Sequence, residues 1–182
     1  MQEIYLPKMD KIIIYDDFFS VIDLKKIKDF CDNNWLCKCM CSPNTDETKD
    51  TPFWRKEYME EHLFNSYLKD IIQKKLEKKM FLKRIYSVGQ TYGQNSNFHP
   101  DDNTLNSYTF CFYINEFYDK TPDGYYYVKI PNEKHIIAIE PINNRGVLFP
   151  AHYIHKGTGF NRFSNDLRIC IAWKFIDCSF TK

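Results

Sequence analysis

Apolar residues in the first 80 positions of this 182-residue chain recur mainly at a helical spacing, and after that they gather in short runs separated by turn residues. A helical spacing is typical of segments that cover a core, whereas short runs rich in Val, Ile, Tyr and Phe are typical of strands. One early run departs from this division, because residues 11–15 (KIIIY) are β-branched and predict a short strand. The pattern therefore predicts helices first and a β-rich remainder.

Two helices are predicted in the first part of the chain. Asp23 can cap a helix that runs to about residue 33, with its apolar residues on one face and lysines on the other. A second helix is predicted over residues 58–79, where apolar residues keep the helical period. Between the two helices, residues 42–51 (SPNTDETKDT) are polar and contain a proline, which predicts a loop.

Six apolar runs after residue 80 predict strands. The runs read FLKRIYSV, SYTFCFYIN, GYYYVKI, HIIAIE, GVLFP and LRICIAWKF. Because turn residues and no helical pattern separate them, they predict a β-sandwich or barrel, with the two helices covering one sheet. We therefore expect a mainly β fold with N-terminal α-helices. The expected organisation is a single domain 1–182, in which residues 1–80 pack on a barrel formed by residues 81–178.

The composition agrees with a folded domain and disfavours one class of partner. Hydrophobic residues make up 43% of the chain and charged residues 27%, which is typical of globular proteins. The aromatic share of 17% suits sheets and a pocket with rigid walls. The formal net charge of +1 gives no support to a broad nucleic-acid-binding surface, which would need a basic excess.

Targeting and redox features predict a cytoplasmic protein, of a cell or of an infected host. No stretch of the sequence approaches the roughly 18 apolar residues of a membrane span, and the first residues lack the apolar core of a signal peptide. The seven cysteines are an odd number, which predicts reduced thiols. Three of them alternate in residues 37–41 (CKCMC) and could bind zinc or copper. No fourth ligand follows at finger spacing, so packed thiols are the favoured interpretation.

The candidate chemistry lies in the β-rich part. His99 and Asp101, in the run FHPDD, are two residues apart, so their side chains share one face of an extended strand. His155, in the run HKG, supplies a second imidazole 54 residues after Asp101. Two imidazoles and one carboxylate form the facial triad of non-haem iron(II) oxygenases, which leaves the other positions of the ion open. His99, Asp101 and His155 are therefore the predicted catalytic and metal-binding residues.

Two neighbouring residues are rivals for these roles. His152 is an alternative source of the second imidazole, but His155 is preferred because a glycine follows it two residues later. Asp102 is an alternative to Asp101, but on an extended strand it would point to the face opposite His99.

An arginine completes the pattern. Arg168 opens an apolar run (RICIAWK) 13 residues after His155. A guanidinium at the start of a barrel strand could hold the far end of a bound dicarboxylate through two parallel hydrogen bonds. The order of HxD, His-x-Gly and a following strand arginine resembles the iron(II)- and 2-oxoglutarate-dependent dioxygenase superfamily. The most similar part of it is the prolyl-hydroxylase-like branch, including its small phage-type members. The resemblance covers roughly residues 84–175.

This resemblance implies a fold and further site residues. The family folds as a double-stranded β-helix, a jelly roll of the cupin-like kind, which agrees with the strands predicted from the pattern. Arg168 would pair with the C5 carboxylate of 2-oxoglutarate, and Tyr113 is similar to a tyrosine that donates to the same carboxylate. Thr109 shares a strand face with Tyr113 and would also point into the barrel. Tyr86 and Tyr92 resemble aromatic residues that line the cosubstrate and substrate entrance.

The implied reaction is the hydroxylation of an unactivated C–H bond with iron(II), 2-oxoglutarate and dioxygen, releasing succinate and CO2. The implied substrate is a peptidyl, prolyl-like side chain, with an amino acid or another small molecule close behind. Residues 42–54 are expected to shape its access. Arg168 stands where collagen-type prolyl hydroxylases have Lys, and the run YYYVK replaces their usual acidic and small residues. The sequence does not indicate an oligomeric state.

Other functions stay open beside this one. Arg162 and Arg168 are six residues apart, a spacing reminiscent of nucleic-acid demethylases of the superfamily, although both arginines follow the second histidine more closely than in those enzymes. A jelly roll can also be a ligand-binding module without chemistry. A cupin-like site can hold another metal, as in an isomerase. The complete triad favours an enzyme, and Arg168 favours 2-oxoglutarate as its cosubstrate.

Overall fold

The computed structural model describes residues 11–33, 37–39, 53–116 and 123–178, and this part of the chain contains ten strands. The strands are β1 (Ile13–Tyr15), β2 (Cys37–Cys39), β3 (Phe53–Glu57), β4 (Met80–Gln90), β5 (Ser107–Tyr113), β6 (Tyr126–Lys129), β7 (Ile136–Ile139), β8 (Gly146–Pro150), β9 (Ile154–Gly157) and β10 (Arg168–Asp177). The helices are α1 (Val21–Asn33) and a π-helical stretch (Leu63–Leu68) that runs directly into α2 (Lys69–Lys75). The prediction of a mainly β fold with few helices is confirmed.

The strands form two antiparallel sheets in a jelly-roll-like arrangement. The larger sheet has the order β1-β8-β5-β10-β4-β3-β2, and the smaller sheet has the order β7-β6-β9. β10 lies in the middle of the larger sheet and pairs with β4 and β5 along most of its length. Because β1, β2 and β3 belong to the larger sheet, the N-terminal part contributes strands to it as well as helices.

Residues of the larger sheet alternate between two apolar cores, because successive side chains of a strand point to opposite faces. On β5, Phe110 and Phe112 pack with the helices, whereas Cys111 and Tyr113 face the smaller sheet. All seven residues of β5 are buried, so this strand is mainly apolar on both of its faces. The core between the two sheets also surrounds the candidate site.

The helix α1 begins with a side-chain cap. The backbone N–H of Asp23 donates to the Ser20 hydroxyl over 3.1 Å, and this hydroxyl donates to the Asp23 carboxylate over 2.7 Å. Ser20 is therefore the cap, and the prediction that Asp23 caps the helix is wrong. The acidic residue lies inside the first turn, where a negative charge is favourable because of the helix dipole.

The second helix is shorter than predicted. A helix was expected over residues 58–79, but helical structure runs from Leu63 to Lys75. Glu77 takes a positive φ of 51°, a left-handed conformation that ends the helix and turns the chain towards β4. Tyr58, where the predicted helix began, follows β3 directly and is fully buried in the core beside the helix.

The apolar pattern missed two strands that border the site. β3 takes up the end of the predicted loop 42–54 and pairs with β4. β9 carries His155 and pairs with β6. Both strands are short and partly polar, so they lack the apolar signal that marks the others. The rest of that loop, and the side chains of the CKCMC segment, lie outside the described residues, so the roles predicted for them are untested.

Two general expectations concern membranes and thiols. In the described ranges, no helix combines the length and the apolar character needed to cross a bilayer. Cys31, Cys111, Cys170 and Cys178 are free thiols, as predicted for these four residues. The cytoplasmic location stays a prediction.

Candidate active site

Backbone hydrogen bonds hold the HxD segment beside the segment of His155. His99 and His155 exchange both of their N–H to C=O bonds, each 3.0 Å long. The N–H of Asp101 donates to the carbonyl of Ala151 over 2.8 Å. The two segments are therefore fixed side by side, although they are far apart in the sequence.

Three side chains converge at this junction. Among the described residues, His99, Asp101 and His155 each bring one potential ligand atom to within 4.8 Å of the others. Nε2 of His155 lies 3.5 Å from a carboxylate oxygen of Asp101. Nδ1 of each imidazole lies 2.8 Å from a backbone carbonyl, that of Asn97 for His99 and that of Tyr153 for His155. These contacts leave Nε2 of each ring for a metal, as is usual for histidine ligands.

Two further side chains hold the Asp101 carboxylate. The Thr109 hydroxyl donates over 2.7 Å to the carboxylate oxygen nearest His155, and the Lys174 ammonium pairs with the same oxygen. Burial alone would raise the pKa of Asp101, but the Lys174 ammonium and His155 outweigh it and hold that pKa well below its ordinary value. Burial would likewise lower the pKa of Lys174, but Asp101 raises it. Both groups are therefore charged in the absence of a metal.

The sequence reasoning did not identify Lys174, although a signal for it exists. Arg168, Cys170, Ala172 and Lys174 follow one another at every second position of β10, and all four line the same cavity. Alternation along a strand therefore predicts Lys174 on the inner face. A lysine near the end of an apolar strand is more often a solvated side chain, so the residue type by itself does not indicate a buried role.

The structure places the two rival ligands outside the group of His99, Asp101 and His155, which is called the metal-type group below. His152 lies on the turn between β8 and β9, where its ring packs edge-on against Tyr153 at a centroid distance of 5.0 Å. The Asp102 carboxylate accepts a hydrogen bond from the backbone N–H of Thr104 over 2.9 Å and pairs with Lys83 over 2.7 Å. His155 and Asp101 are thus the residues that the fold brings together.

Arg168 is only 1% exposed and is held by two fixed acceptors. Its Nε donates to the carbonyl of Gly124 over 2.6 Å, and its Nη1 donates to the side-chain oxygen of Gln90 over 3.0 Å. Its guanidinium carbon lies 5.2 Å from the centroid of the Tyr113 ring. Gln90 and Gly124 are positioning residues that the sequence reasoning missed, since their contact with Arg168 exists only in the folded chain.

Three buried donors in this part of the fold have no hydrogen-bond partner among the described residues. They are Nη2 of Arg168 and the hydroxyls of Tyr113 and Tyr126. A buried donor without a partner is costly, so a set of three points to a ligand that accepts hydrogen bonds. Arg168 and Tyr126 line the cavity directly, whereas Tyr113 packs behind the guanidinium. The sequence reasoning did not single out Tyr126, because it lies in a run of three tyrosines.

A cavity of about 490 Å³ opens over these groups and is lined by the metal-type group, Arg168, Tyr126 and Lys174. Its volume lies in the range of roughly 300–1,000 Å³ that is typical of ligand sites. Tyr86 also lines it, and burial raises the pKa of Tyr86 to about 12. Tyr92 does not, because it is 64% exposed on the turn after β4, where Gly93 has a positive φ. Tyr92 is therefore outside the lining of this cavity, and its place at the entrance stays a prediction.

Two other residues also differ from the expectation. Thr109 points into the core as predicted, but its hydroxyl contacts Asp101 and lies at the metal end of the cavity rather than at the Arg168 end. Arg162 is exposed and its guanidinium packs over the Phe163 ring at 4.8 Å. The pair of arginines reminiscent of nucleic-acid demethylases is therefore not assembled.

The fold is similar to those of several oxygenases of known structure. A Trichoplax adhaerens prolyl hydroxylase, in complex with a hypoxia inducible factor peptide fragment, has a TM-score of 0.71 at 14% identity, and the match covers 93% of this chain and 84% of that chain. A Pseudomonas putida prolyl-4-hydroxylase has a TM-score of 0.67 at 11% identity, with 91% and 92% covered. HygX from Streptomyces hygroscopicus, with nickel and 2-oxoglutarate bound, has a TM-score of 0.67 at 10% identity, with 93% and 84% covered.

These likenesses concern the fold, because the identities are low. The resemblance to 2-oxoglutarate- and iron(II)-dependent oxygenases, including prolyl hydroxylases, is thereby confirmed at the level of the fold. The relation to phage-type members stays a prediction. No protein-family model and no curated protein matches the sequence.

Proposed function

We propose that this protein is an iron(II)- and 2-oxoglutarate-dependent dioxygenase that hydroxylates an unactivated C–H bond and releases succinate and CO2. The observation that carries the proposal is one cavity with metal-type donors at one end and unpartnered buried donors at the other. We also propose that the two sheets form a double-stranded β-helix within a single domain. The likeness of the fold to oxygenases supports both statements.

The side chains at the metal end fit an iron ion. Two imidazole nitrogens and a carboxylate oxygen are the donors of the facial triad, and His99, Asp101 and His155 supply them. Neighbouring ligands of such an ion lie about 3 Å apart at bond lengths of about 2.1 Å, close to the 3.5 Å between His155 and Asp101. When bound, iron(II) with 2-oxoglutarate would supply the activation of dioxygen that hydroxylation requires.

The other end of the cavity fits the free carboxylate of the cosubstrate. Arg168 and Tyr126 line the cavity, Tyr113 packs against the guanidinium, and the Tyr126 ring lies 5.2 Å from the His155 ring. Among the described residues, Nη2 of Arg168 and the two tyrosine hydroxyls have no hydrogen-bond partner. A carboxylate is acceptor-only and would satisfy these donors at once. Gln90 and Gly124 keep the guanidinium in place, which lowers the entropy lost on binding.

The remaining residues of the site orient its ligands. Thr109 fixes the rotamer of Asp101, and the backbone carbonyls of Asn97 and Tyr153 fix the two imidazoles. The side chains of Asp101 and His155 are 7% and 6% exposed. Ligands that are held by fixed partners in this way keep a bound C–H bond at one position relative to the metal.

A peptidyl side chain or an amino acid is the proposed substrate. Of the similar structures, the Trichoplax enzyme is in complex with a peptide fragment, and HygX has also been crystallised with hygromycin B. The exposed position of Arg162 disfavours a nucleic-acid demethylase. A non-catalytic binding module is the alternative that the next experiment tests.

Anaerobic titration with iron(II) and 2-oxoglutarate is the direct test of the proposed function. A weak visible charge-transfer band is expected only when both are present, because it requires the keto acid to bind the metal. Adding air should then release succinate. A protein that binds neither component, or binds both without the band, would contradict the proposal and favour the non-catalytic module.

Gly124→Ala is expected to weaken 2-oxoglutarate binding through Arg168. Gly124 has a φ of +84°, and a Cβ there would lie 2.7 Å from Phe160 and 3.0 Å from Cδ of Arg168. The left-handed conformation alone should lower the free energy of unfolding by about 1–2 kcal/mol. Displacement of the guanidinium should in addition weaken 2-oxoglutarate binding, which calorimetry on the zinc-loaded protein would measure.

Gly93→Ala is the matched control for this substitution. Gly93 has a similar φ of +80°, but no atom lies within 4 Å of a Cβ at that position. It should therefore lower stability by about the same 1–2 kcal/mol while 2-oxoglutarate binding stays unchanged. Equal effects of the two substitutions on binding would mean that Gly124 does not position Arg168.

A further inference from the structure

Lys174 is a buried cation beside the metal-type group, and it has no role in the proposed binding of iron or 2-oxoglutarate. Its side chain is 15% exposed, and its ammonium contacts Asp101 and Thr109. On the inner face of β10 it comes six residues after Arg168, so at about 3.3 Å per residue the two Cα atoms lie about 20 Å apart. A cosubstrate that runs from the metal to Arg168 therefore extends away from Lys174.

A second cavity, of about 270 Å³, opens on the Lys174 side of the site. It shares Arg84, Tyr86, Asp101 and Lys174 with the main cavity, but Arg168 does not line it. Lys174 thus stands where the two cavities meet. A molecule in the second cavity would reach the ammonium and the Asp101 carboxylate together.

The other basic residues of the second cavity already have acidic partners. Lys83 pairs with Asp102 over 2.7 Å, and Arg84 pairs with Glu57. Both of these basic side chains are also about half exposed, at 55% and 43%. Lys174 is the buried cation of this cavity, and its partner is the oxygen of Asp101 that faces His155.

Loading of the site would leave the charge of Lys174 unbalanced. A divalent ion would take the Asp101 oxygen that now pairs with Lys174. The two negative charges of 2-oxoglutarate and the one of Asp101 would then face the ion, Arg168 and Lys174, which together carry four positive charges. One positive charge remains, and it belongs to a buried side chain for which an unpaired state is costly.

We propose that Lys174 binds a carboxylate of the substrate and thereby selects a small carboxylic acid, such as a free amino acid. This inference rests on the proposed function and chooses between its two substrate classes. An ion pair formed inside the fold is stronger than one at the surface, because the effective dielectric constant is lower. A nucleic-acid backbone fits less well, since the buried ammonium is reached only from within the cavity.

Binding to the protein loaded with zinc and 2-oxoglutarate tests this inference without turnover. The probes are the protein amino acids and their N-acetyl derivatives, each compared with its primary amide by calorimetry. At least one acid is expected to bind, and its amide is expected to bind much more weakly. Lys174→Met should weaken binding of that acid by about tenfold or more, and Lys174→Arg should keep the preference for the acid.

Two controls separate this inference from the proposed function. Lys83→Met removes an exposed cation of the same cavity and should leave acid binding unchanged. Lys174→Met should bind zinc at least as tightly as wild type, because the ammonium no longer competes for Asp101, and should still bind 2-oxoglutarate. If the wild type binds neither zinc nor 2-oxoglutarate, the proposed function fails.

Four results would overturn the inference while leaving the proposed function in place. The first is that no acid binds better than its amide. The second is that Lys174→Met weakens 2-oxoglutarate binding as strongly as Arg168→Met does, which would make Lys174 part of the cosubstrate site. The third is loss of zinc from Lys174→Met, which would mean that Lys174 only organises Asp101. The fourth is that single-stranded DNA binds and every acid fails.

Discussion

His155→Ala is expected to abolish tight metal binding, whereas His152→Ala is expected to retain it. His155 brings Nε2 to 3.5 Å from the Asp101 carboxylate, while His152 packs on Tyr153 outside the group. Loss of a direct ligand should exceed the roughly 10–100-fold loss in metal affinity that follows removal of an outer partner. Anaerobic titration with iron(II) would measure affinity, and succinate release would measure turnover.

The pair His155→Ala and His152→Ala also controls for folding. His155 lies on β9, a four-residue edge strand of the smaller sheet, so far-UV circular dichroism should be unchanged in both variants. Asp101→Ala is a less suitable probe, because it leaves the Lys174 ammonium buried without its acidic partner. Metal binding that survives in His155→Ala but is lost in His152→Ala would show that the ligand is misassigned.

Arg168→Met is expected to weaken 2-oxoglutarate binding by roughly 2–5 kcal/mol, the scale for removing one partner of a buried charge pair. The guanidinium is buried, and its free Nη2 is the strongest unpartnered donor of the cavity. Metal affinity should change little, because Arg168 is not among the group that could hold the ion. Calorimetry with zinc as an inert metal would measure both affinities.

Arg162→Met is the matched control for Arg168→Met, since Arg162 is exposed and packs only over Phe163 in the described contacts. It should leave 2-oxoglutarate affinity unchanged. If Arg162→Met weakens 2-oxoglutarate binding and Arg168→Met does not, Arg168 is wrongly assigned as the partner of the carboxylate. That result would favour the demethylase-like alternative. If neither substitution changes 2-oxoglutarate affinity and the wild type binds no keto acid, the oxygenase proposal itself fails.

The two tyrosines extend this measurement. Tyr113→Phe and Tyr126→Phe should each weaken 2-oxoglutarate binding by about 1.5–3 kcal/mol, because each loses one hydrogen bond to a charged group. Tyr126 lines the cavity, whereas Tyr113 lies behind Arg168, so Tyr126→Phe is expected to have the larger effect. A larger effect of Tyr113→Phe would place the carboxylate deeper beside the Arg168 guanidinium.

Local patterns predicted the strands that are buried on both faces. β8 spans Gly146–Pro150, the same five residues as the predicted run GVLFP, and β5 lies within the run SYTFCFYIN. Such strands are mainly apolar along their whole length, and turn residues bound them, so the local sequence is enough to predict them. The same signal is weak in β3 and β9, because their stability depends on pairing with β4 and β6, which are distant in the sequence.

The sequence by itself determined the fold class and the candidate set of metal ligands, since strand alternation places His99 and Asp101 on one face and the resemblance adds His155. Only the tertiary structure decided which other side chains share that cavity. Lys174 pairs with Asp101, and the Tyr126 hydroxyl has no hydrogen-bond partner among the described residues. Tyr92, by contrast, lies exposed on a turn. The reason is that these outcomes depend on the pairing of β4, β5, β6 and β10, and the register of distant strands is not encoded in the spacing of residues within any one of them.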